Sequence, residues 1–365
     1  MTAPSSAPAD AEPGCRLVAR EVPFGDIPRA TWDRLLGRTA TATPFSRWTV
    51  HRAWWDGYAE TAEPAYLIVA APEAPDVVRG VVPLMRRERR IFFGASYHAD
   101  YATVLCDRAD LEGVCTAAAQ HLAAEPRLGA GSEPWTAVDL RRLRHDDPAL
   151  PALEAAFRAV VPDHGWTVER EQEDVCPVIS LPADGDWETY LGTLDKKARH
   201  EIRRKIRRAE GAGPNAFALV EPTPEAIEAF IELHQARWED EGLFPDTPDG
   251  QRSGRFVHRL AELELSEGEG RQLQLGRFSI GPRVILAGLS FEDGTTCYFY
   301  NAGMDPAARE LSPGVTGTAA YIRDRLESGA CRRFDFLRGD EAYKYEWGAV
   351  DEPIYRLLVR RIGTA

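Results

Sequence analysis

Hydrophobic positions in this sequence recur with two spacings, which together predict helices mixed with strands. Unbroken apolar runs such as 65–70 predict buried strands, and apolar residues repeated every three or four positions, as in 47–58, predict helices. The predicted helices are 27–37, 47–58, 111–124, 150–160, 187–194, 195–210, 224–240, 250–265 and 312–328. The predicted strands are 15–22, 65–70, 77–86, 135–140, 166–171, 175–181, 217–221, 272–278, 284–291, 295–301, 332–337 and 354–360.

The stretch 295–348 predicts a strand–helix–strand unit. Its first strand carries the aromatic run Cys297-Tyr298-Phe299-Tyr300, which suits a pleated surface. Ser312 is expected to cap the helix with its side chain, Pro313 fits the first helical position, and Gly329 ends the helix. A helix that starts just beyond a strand offers backbone N–H groups and a positive dipole end to an anion. No GxGxxG or GxxxxGK[ST] motif occurs here, so the unit by itself also suits an ordinary βαβ connection.

Several motifs in this part of the chain resemble those of one enzyme family. They are the Ser312-Pro313-Gly314 helix start, the FDFLRGDEAYKYEWG ending at Gly348, the basic segment 194–204 and the LHQARW segment 233–238. Their order over 185–348 is similar to that in the GNAT-fold acyltransferases. More narrowly, it resembles the cellulose-biosynthesis-type acetyltransferase branch, which is related to the Fem peptidyltransferases. The opening helix–helix–hairpin pattern and the Gly94…Asp100-Tyr101 segment also resemble the N-terminal half of that family.

This resemblance implies an α/β fold with mixed α+β sheets and two tandem GNAT-like domains. Each domain is expected to be a central, mostly antiparallel sheet flanked by helices. The predicted division is a disordered tail 1–14, a degenerate GNAT-like domain 15–183 and a GNAT acyltransferase domain 184–365. The tail is rich in Ala, Pro and Ser, which is typical of disorder. The two halves show no sequence repeat, so the duplication is implied by the resemblance alone.

Composition narrows the class of protein. The 365 residues carry a formal net charge of −13, which disfavours broad nucleic-acid binding. Six scattered cysteines without a CxxC motif argue against a zinc site or a disulfide scaffold. The start of the chain has no signal-peptide pattern, and no apolar run is long enough to span a membrane. We therefore expect a cytoplasmic protein, and the richness in Ala, Arg, Gly and Pro suggests a bacterial source.

Three residues are candidate catalytic groups. His234 suits a general base because its unperturbed pKa is near neutrality, although a histidine bonded to backbone beside packed Trp238 fits equally. Asp335 is expected to face away from its neighbouring phenylalanines, either as a base with a raised pKa or as a carboxylate buried against a cation. Tyr300 shares a strand face with Tyr298, and that face lines an acyl pocket or forms part of the core.

The predicted binding residues fall into two sets. The resemblance places the acyl donor at the start of helix 312–328 and along the preceding strand, at Tyr298, Asn301, Leu311, Ser312, Pro313, Gly314 and Val315. Segment 196–208 holds eight Lys or Arg and one Glu, which predicts an anion-binding wall or a solvated face tied to acidic neighbours. Lys344 among aromatic residues suits cation–π packing or a phosphate contact. The predicted substrate-binding set is Lys196, Arg199, Arg203, Trp238, Arg338 and Lys344.

These observations predict an enzyme, an acyltransferase that uses acyl-CoA as co-substrate and no metal. The acyl group, acetyl in the favoured version, goes to an amine or hydroxyl of a small-molecule, carbohydrate or cell-envelope acceptor, as in polysaccharide biosynthesis. One alternative is a Fem-like transferase that takes an aminoacyl group from aminoacyl-tRNA, with tRNA a partner only in that case. A second is a non-catalytic protein that binds a polysaccharide precursor. The acyl group, the acceptor and the oligomeric state stay open.

Overall fold

The computed structural model describes residues 16–129 and 133–361, so the predicted tail 1–14 lies outside the described residues. The helices are α1 (Arg29–Leu36), α2 (Trp48–Tyr58), α3 (Leu111–Ala124), α4 (Ala149–His164), α5 (Trp187–Thr193), α6 (Lys196–Ala212), α7 (Pro224–Trp238), α8 (Pro248–Ser266), α9 (Pro313–Glu327) and α10 (Ala342–Tyr345). The strands of the first half are β1 (Val18–Val22), β2 (Glu63–Pro64), β3 (Tyr66–Ala70), β4 (Gly80–Val82), β5 (Leu84–Arg87), β6 (Arg90–Phe93), β7 (Leu105–Cys106), β8 (Ala137–Arg144) and β9 (Trp166–Ser180). Those of the second half are β10 (Asn215–Val220), β11 (Leu273–Ile280), β12 (Arg283–Glu292), β13 (Thr296–Met304), β14 (Arg333–Asp335) and β15 (Val350–Arg361).

One large sheet runs through both halves of the chain. It has 11 strands in the order β10-β11-β12-β13-β14-β9-β15-β8-β6-β5-β2, and a second sheet has the order β1-β3-β4-β7. Pairing in the large sheet is antiparallel except for β6 with β8 and β13 with β14. Each parallel pair is joined by a connection that contains a helix, α3 in the first half and α9 in the second. The predicted mixed α/β fold of two related halves is confirmed.

Most predicted elements are present, and two differences have a local cause. The predicted strand 77–86 divides at Pro83, because β4 pairs with β3 in the small sheet while β5 pairs with β6 in the large one. The predicted strands 166–171 and 175–181 are one strand, β9, since its polar middle stays paired with β15 across a bulge. The predicted antiparallel meander of β11, β12 and β13 is confirmed.

The last strand of the chain lies inside the sheet of the first half. β15 is hydrogen-bonded to β9 on one side and to β8 on the other, both in antiparallel register. Ile354, Leu357, Leu358 and Val359 of β15 are buried. The boundary at 183/184 therefore stays a prediction, and the sheet is continuous across it.

The two halves also pack together through helices α2 and α8. Gly57 lies against Phe256, where an added Cβ would come within 3.2 Å of the Phe256 backbone nitrogen. Buried Glu264 of α8 accepts hydrogen bonds from Arg47 and Thr49 of the first half, at 3.1 and 2.5 Å. One hydrophobic cluster combines residues of both halves, among them Trp54 and Phe291. This close packing fixes the first half as one wall of the cavity described next.

The described part of the chain contains no helix long and apolar enough to cross a membrane. Within the same residues, no group of three or more His, Cys, Asp or Glu side chains is arranged to hold a metal ion. Five cysteines in the described ranges (106, 115, 176, 297 and 331) are buried free thiols.

Candidate active site

The candidate site opens where the parallel strands β13 and β14 separate. The two strands pair over three residues, ending at Tyr298 with Asp335. Beyond that point β13 continues to Met304, whereas the chain after β14 follows β9, with the Phe336 N–H donating to the Pro177 carbonyl at 3.0 Å. A β-bulge also interrupts the pairing of β13 with β12 near Tyr300. The separation leaves a cavity of about 440 Å³ between the strands.

This first cavity has walls from five parts of the chain. β13 contributes Phe299, Tyr300 and Asn301, and the segment after β14 contributes Phe336, Arg338, Tyr343 and Lys344. α9 contributes Gly314, Val315 and Thr318, and α7 contributes Arg237 and Trp238. The first half of the chain closes the remaining side with Tyr97, His98 and Asp100.

A second cavity, of about 520 Å³, lies at the start of α9. It shares Arg237, Met304, Gly314 and Val315 with the first cavity, so the two are adjoining parts of one cleft. Its other walls include Arg309, Ser312 and Pro313. Two guanidinium groups and the positive end of a 15-residue helix favour an anion in this part of the cleft. Two carboxylates, Glu239 and Asp305, also line it, and Asp305 is paired with Arg283.

The start of α9 differs from the expected side-chain cap. Ser312 ends the preceding 3-10 turn in a left-handed conformation, with φ of 53°, and its side chain makes no cap hydrogen bond. The prediction of a side-chain cap was therefore wrong. Its carbonyl instead accepts the N–H groups of Val315 and Thr316, at 2.9 and 3.0 Å. Pro313 has no N–H, so Gly314 carries the one early N–H of the helix that this carbonyl does not take. The predicted stop at Gly329 is confirmed by its φ of +67°.

Tyr300 is the candidate catalytic residue that lines the cleft. Its side chain is half-buried, and its hydroxyl lies 2.7 Å from Nδ1 of His98. Burial raises the pKa of the phenol well above its usual value, so the hydroxyl keeps its proton at neutral pH. A protonated phenol at this position can donate a hydrogen bond to a group that gains negative charge.

His234 lies behind the wall of the cleft rather than in it. Its ring is buried, with a centroid 4.9 Å from that of Phe244, and Nδ1 has no hydrogen-bond partner among the described residues. Burial lowers its pKa to about 4, and a hydrogen bond from the ring to Asn301 opposes this shift. The ring is therefore neutral at pH 7. Its link to the cleft is the hydrogen bond to Asn301, which lines the cavity.

Asp335 is also buried and does not line either cavity. Its carboxylate accepts hydrogen bonds from the Tyr101 hydroxyl and the Leu337 N–H, both at 2.7 Å. Burial raises its pKa to about 6, while these two hydrogen bonds oppose the rise. The raised pKa agrees with one of the two interpretations of Asp335, and its role as a base stays a prediction. In the structure the carboxylate holds the turn at Leu337, which has a φ of 58°.

The predicted donor-binding residues divide between cleft and core. Asn301, Ser312, Pro313, Gly314 and Val315 line the cleft. Tyr298 is in the core, where its hydroxyl donates to Asp293 at 2.9 Å, and it packs with Tyr300 against Phe45. Leu311 packs against a small cluster below the helix start.

Two of the predicted substrate-binding residues line the cleft with their polar groups accessible. Arg338 pairs with Asp100 of the first half at 3.5 Å, and Trp238 is partly exposed, with the Arg237 guanidinium 4.6 Å from its ring centroid. Lys344 also borders the cavity, but its ammonium donates to the carbonyls of Leu337, Arg338 and Gly339, each at 2.9 Å. Neither predicted function of Lys344 matches this geometry, because the ammonium has its three protons engaged within the loop.

The basic helix α6 lies outside both cavities. Arg203 pairs with Glu188 and Arg199 donates to the Gly192 carbonyl at 3.1 Å. Glu201 is shared by Arg204 and Lys205. Ile202 faces inward, as predicted, and Lys196 is exposed. The acidic-neighbour interpretation therefore describes part of this helix, and Lys196, Arg199 and Arg203 stay predictions as substrate contacts.

Sequence reasoning missed the residues that the first half contributes. Tyr97, His98 and Asp100 lie within the Gly94…Asp100-Tyr101 segment that resembles the family's N-terminal half. That resemblance was the available signal, but no spacing in the sequence connects His98 with Tyr300, 202 positions later. Arg309 was also missed, because an isolated arginine carries no pattern, and Arg237 was noted only as part of the LHQARW segment 233–238.

Comparison with known proteins found a family model that matches the segment forming most of this cleft. Residues 196–345 match the family model described as an acetyltransferase (GNAT) domain. This match supports the predicted acyltransferase. The GNAT/Fem-like superfamily for the whole chain and the narrower cellulose-biosynthesis-type branch stay predictions. No curated protein matches the chain.

Several solved structures share the fold of the whole chain around this matched segment. FemX is 12% identical with a TM-score of 0.57, and the match covers 90% of this chain and 96% of that one. A conserved protein of unknown function from Bacteroides thetaiotaomicron is 12% identical with a TM-score of 0.54, covering 92% and 98%. A tandem GNAT protein from the clavulanic acid biosynthesis pathway is 10% identical with a TM-score of 0.51, covering 96% and 99%. At these identities the likeness shows the fold alone.

Proposed function

We propose that this enzyme transfers an acyl group, acetyl in the first instance, from acyl-CoA to an amine or hydroxyl of a small-molecule or carbohydrate-like acceptor of the cell envelope. The observation that carries the proposal is the continuous cleft from the start of α9 into the gap between β13 and β14. One end suits phosphates, and the other end is lined by aromatic rings and an ordered hydroxyl. Such a cleft fits a donor whose charged head lies at the first end and whose long arm extends to the second.

In this proposal the donor's pyrophosphate lies at the start of α9, between Arg237 and Arg309. Gly314 permits a close approach, because nothing beyond Met304 lies near the position of its missing side chain. The thioester arm then runs along β13 past Asn301, where the β14 side of the strand has no strand partner. Open backbone groups on that side suit the amides of such an arm.

The chemical step depends mainly on positioning. The acceptor nitrogen or oxygen attacks the thioester carbon, and the carbon–sulfur bond breaks as the acceptor loses a proton and the sulfur gains one. Tyr300, with its protonated hydroxyl in the cleft, donates toward the oxygen or sulfur that gains charge. The acceptor enters beside Asp100, Arg338 and Trp238, which supply both charges and an aromatic face.

The test is calorimetric titration of the purified protein with acetyl-CoA. We expect binding by the natural protein, loss of binding in Gly314→Trp, and retained binding in Gly314→Ala, whose methyl group would meet the flexible Met304 side chain at 3.0 Å. Arg309→Ala should weaken binding roughly tenfold, since a charge-assisted hydrogen bond contributes about 1.5–3 kcal/mol. Equal binding by Gly314→Trp would place the donor elsewhere.

A second candidate is transfer of an aminoacyl group from aminoacyl-tRNA. It is favoured by α6, which carries eight Lys or Arg between 196 and 208, with Lys196, Lys197 and Arg207 exposed. Titration with bulk tRNA separates the two candidates. Binding that weakens steeply with salt and is lost in the double exchange Lys196→Glu and Lys197→Glu supports the tRNA donor. The same variant should bind acetyl-CoA unchanged, because these residues lie outside the cleft.

A further inference from the structure

A chain of buried hydrogen bonds leads away from Tyr300 into the packing between the two halves. The Tyr300 hydroxyl lies 2.7 Å from His98 Nδ1, and His98 Nε2 lies 2.8 Å from the Tyr58 hydroxyl. The Tyr58 hydroxyl in turn lies 2.8 Å from Ser253 Oγ on α8. Tyr300 and His98 both line the cavity, and His98 and Ser253 are almost fully buried. These hydrogen bonds therefore join the cleft to a buried hydroxyl group of α8.

One placement of the protons in this row of hydrogen bonds gives every buried donor an acceptor. Among the described residues, the Ser253 hydroxyl has the Tyr58 hydroxyl as its partner. Ser253 must donate to Tyr58, since a buried O–H without an acceptor is costly. Tyr58 then donates its own proton to Nε2 of His98.

It follows that the His98 proton is on Nδ1, because the ring is neutral. Burial, and to a smaller extent the nearby charge of Arg142, lowers its pKa to about 3. The ring is held between Phe256, stacked at 4.1 Å, and Tyr97, edge-on at 4.9 Å. Nδ1–H donates to the Tyr300 oxygen, and the Tyr300 proton is left free to point into the cleft.

We propose that Tyr58 and His98 act as positioning residues that fix the direction of the Tyr300 hydroxyl proton toward the bound donor. This inference rests on the proposed acyl transfer and adds a task for the first half of the chain. Because the Tyr300 oxygen accepts a hydrogen bond from Nδ1–H, the Tyr300 hydroxyl cannot donate its own proton to that nitrogen. It presents that proton to the cleft in each molecule, and Nδ1–H stabilises the oxygen while the proton is shared with the substrate.

The experiment is long-range 1H–15N NMR of the full chain labelled at histidine, which distinguishes the two neutral tautomers. We expect one of the eight histidines to carry its proton on Nδ1 and to stay neutral from pH 8 to pH 5, with its signal lost in His98→Asn. Tyr58→Phe removes the donor to Nε2 and should abolish the preference for Nδ1–H at His98. Ser253→Ala leaves Nε2 as the acceptor for the Tyr58 proton, so the preference should persist in that variant.

Addition of acetyl-CoA distinguishes a positioning role from a merely structural role of these residues. The Nδ1 signal of His98 should move in the natural protein and stay in place in Tyr300→Phe, because the signal reports the donor through the Tyr300 oxygen. The matched control is His51→Asn, another buried histidine bonded to a tyrosine, Tyr66 at 2.9 Å, away from the 440 Å³ cavity. It should leave the His98 signal unchanged.

Two outcomes would overturn the proposal. One is a proton on Nε2 of His98 in the natural protein, and the other is a tautomer that is unaltered in Tyr58→Phe. Failure of the proposed function looks different, since calorimetry would then show no acetyl-CoA binding while the tautomer experiment still gives its own answer.

Discussion

At the scale of single residues, two charged side chains in 334–348, Asp335 and Lys344, are buried and make their contacts inside the protein. The alternation of residues along β14 correctly predicts that Asp335 faces away from its phenylalanine neighbours, and its raised pKa follows from burial. The sequence could not predict that the carboxylate would accept a hydrogen bond from Tyr101, because the two residues are 234 positions apart. Tyr300 was predicted from its strand, and His98 was not, for the same reason.

Asp335 makes the stability of the protein depend on pH. Its pKa is raised on folding from 3.8 to about 6, so its contribution to stability is fully present below the unfolded value and is lost as pH rises through about 6. Compared with Asp335→Asn, the natural protein should lose on the order of 1–3 kcal/mol between pH 4.5 and pH 8. Urea unfolding of both proteins at the two pH values measures this. A constant difference would show that the carboxyl is not perturbed, and Asp340→Asn, at an exposed position, controls for the exchange itself.

At the scale of elements, the strand–helix–strand unit of β13, α9 and β14 was predicted from local signals that act within it. Proline at the first helical turn, glycine after the last, and the aromatic run in the strand each dictate nearby backbone. The separation of β13 from β14 was not predicted. It arises because the chain after Asp335 continues along β9, with the Gly339 N–H donating to the Val175 carbonyl at 3.0 Å.

The loop after β14 depends on one buried ammonium. Lys344 holds three consecutive carbonyls, so Lys344→Met leaves them without their donor and should lower the free energy of unfolding by about 3 kcal/mol. Lys344→Arg should not restore it, since a planar guanidinium cannot address three carbonyls from one point. Chemical denaturation measures both. Lys197→Met, at an exposed position of α6, should stay within about 0.5 kcal/mol, and a similar value for Lys344→Met would contradict this account.

At the scale of the whole molecule, the first half is completed by the last strand. Local patterns predict β15 as a strand but give no partner for it, because its pairings with β8 and β9 join residues about 170 to 220 positions apart. Local patterns therefore led to a prediction of two sequential halves. The structure links them through β15 and through the packing of α2 on α8.

Removal of β15 should unfold both halves. Four buried aliphatic side chains leave with it, each contributing about 1.5–3 kcal/mol, which together matches the whole stability of a typical domain. We expect a chain ending at Ala349 to show no cooperative thermal transition by circular dichroism, whereas a chain ending at Arg361 melts like the full protein. Independent folding of 1–183 alone would contradict the prediction.

The place of β15 also has a consequence during translation. The strands β8 and β9 leave the ribosome early, yet the strand that belongs between them is made about 170 residues after β9 ends, a delay on the order of 10–30 s at ordinary elongation rates. Over that interval two long strand edges stay unpaired and open to association with other nascent chains. We expect synthesis of this protein to depend on chaperones that cover those edges, and ribosomes stalled before codon 350 to yield chains that aggregate.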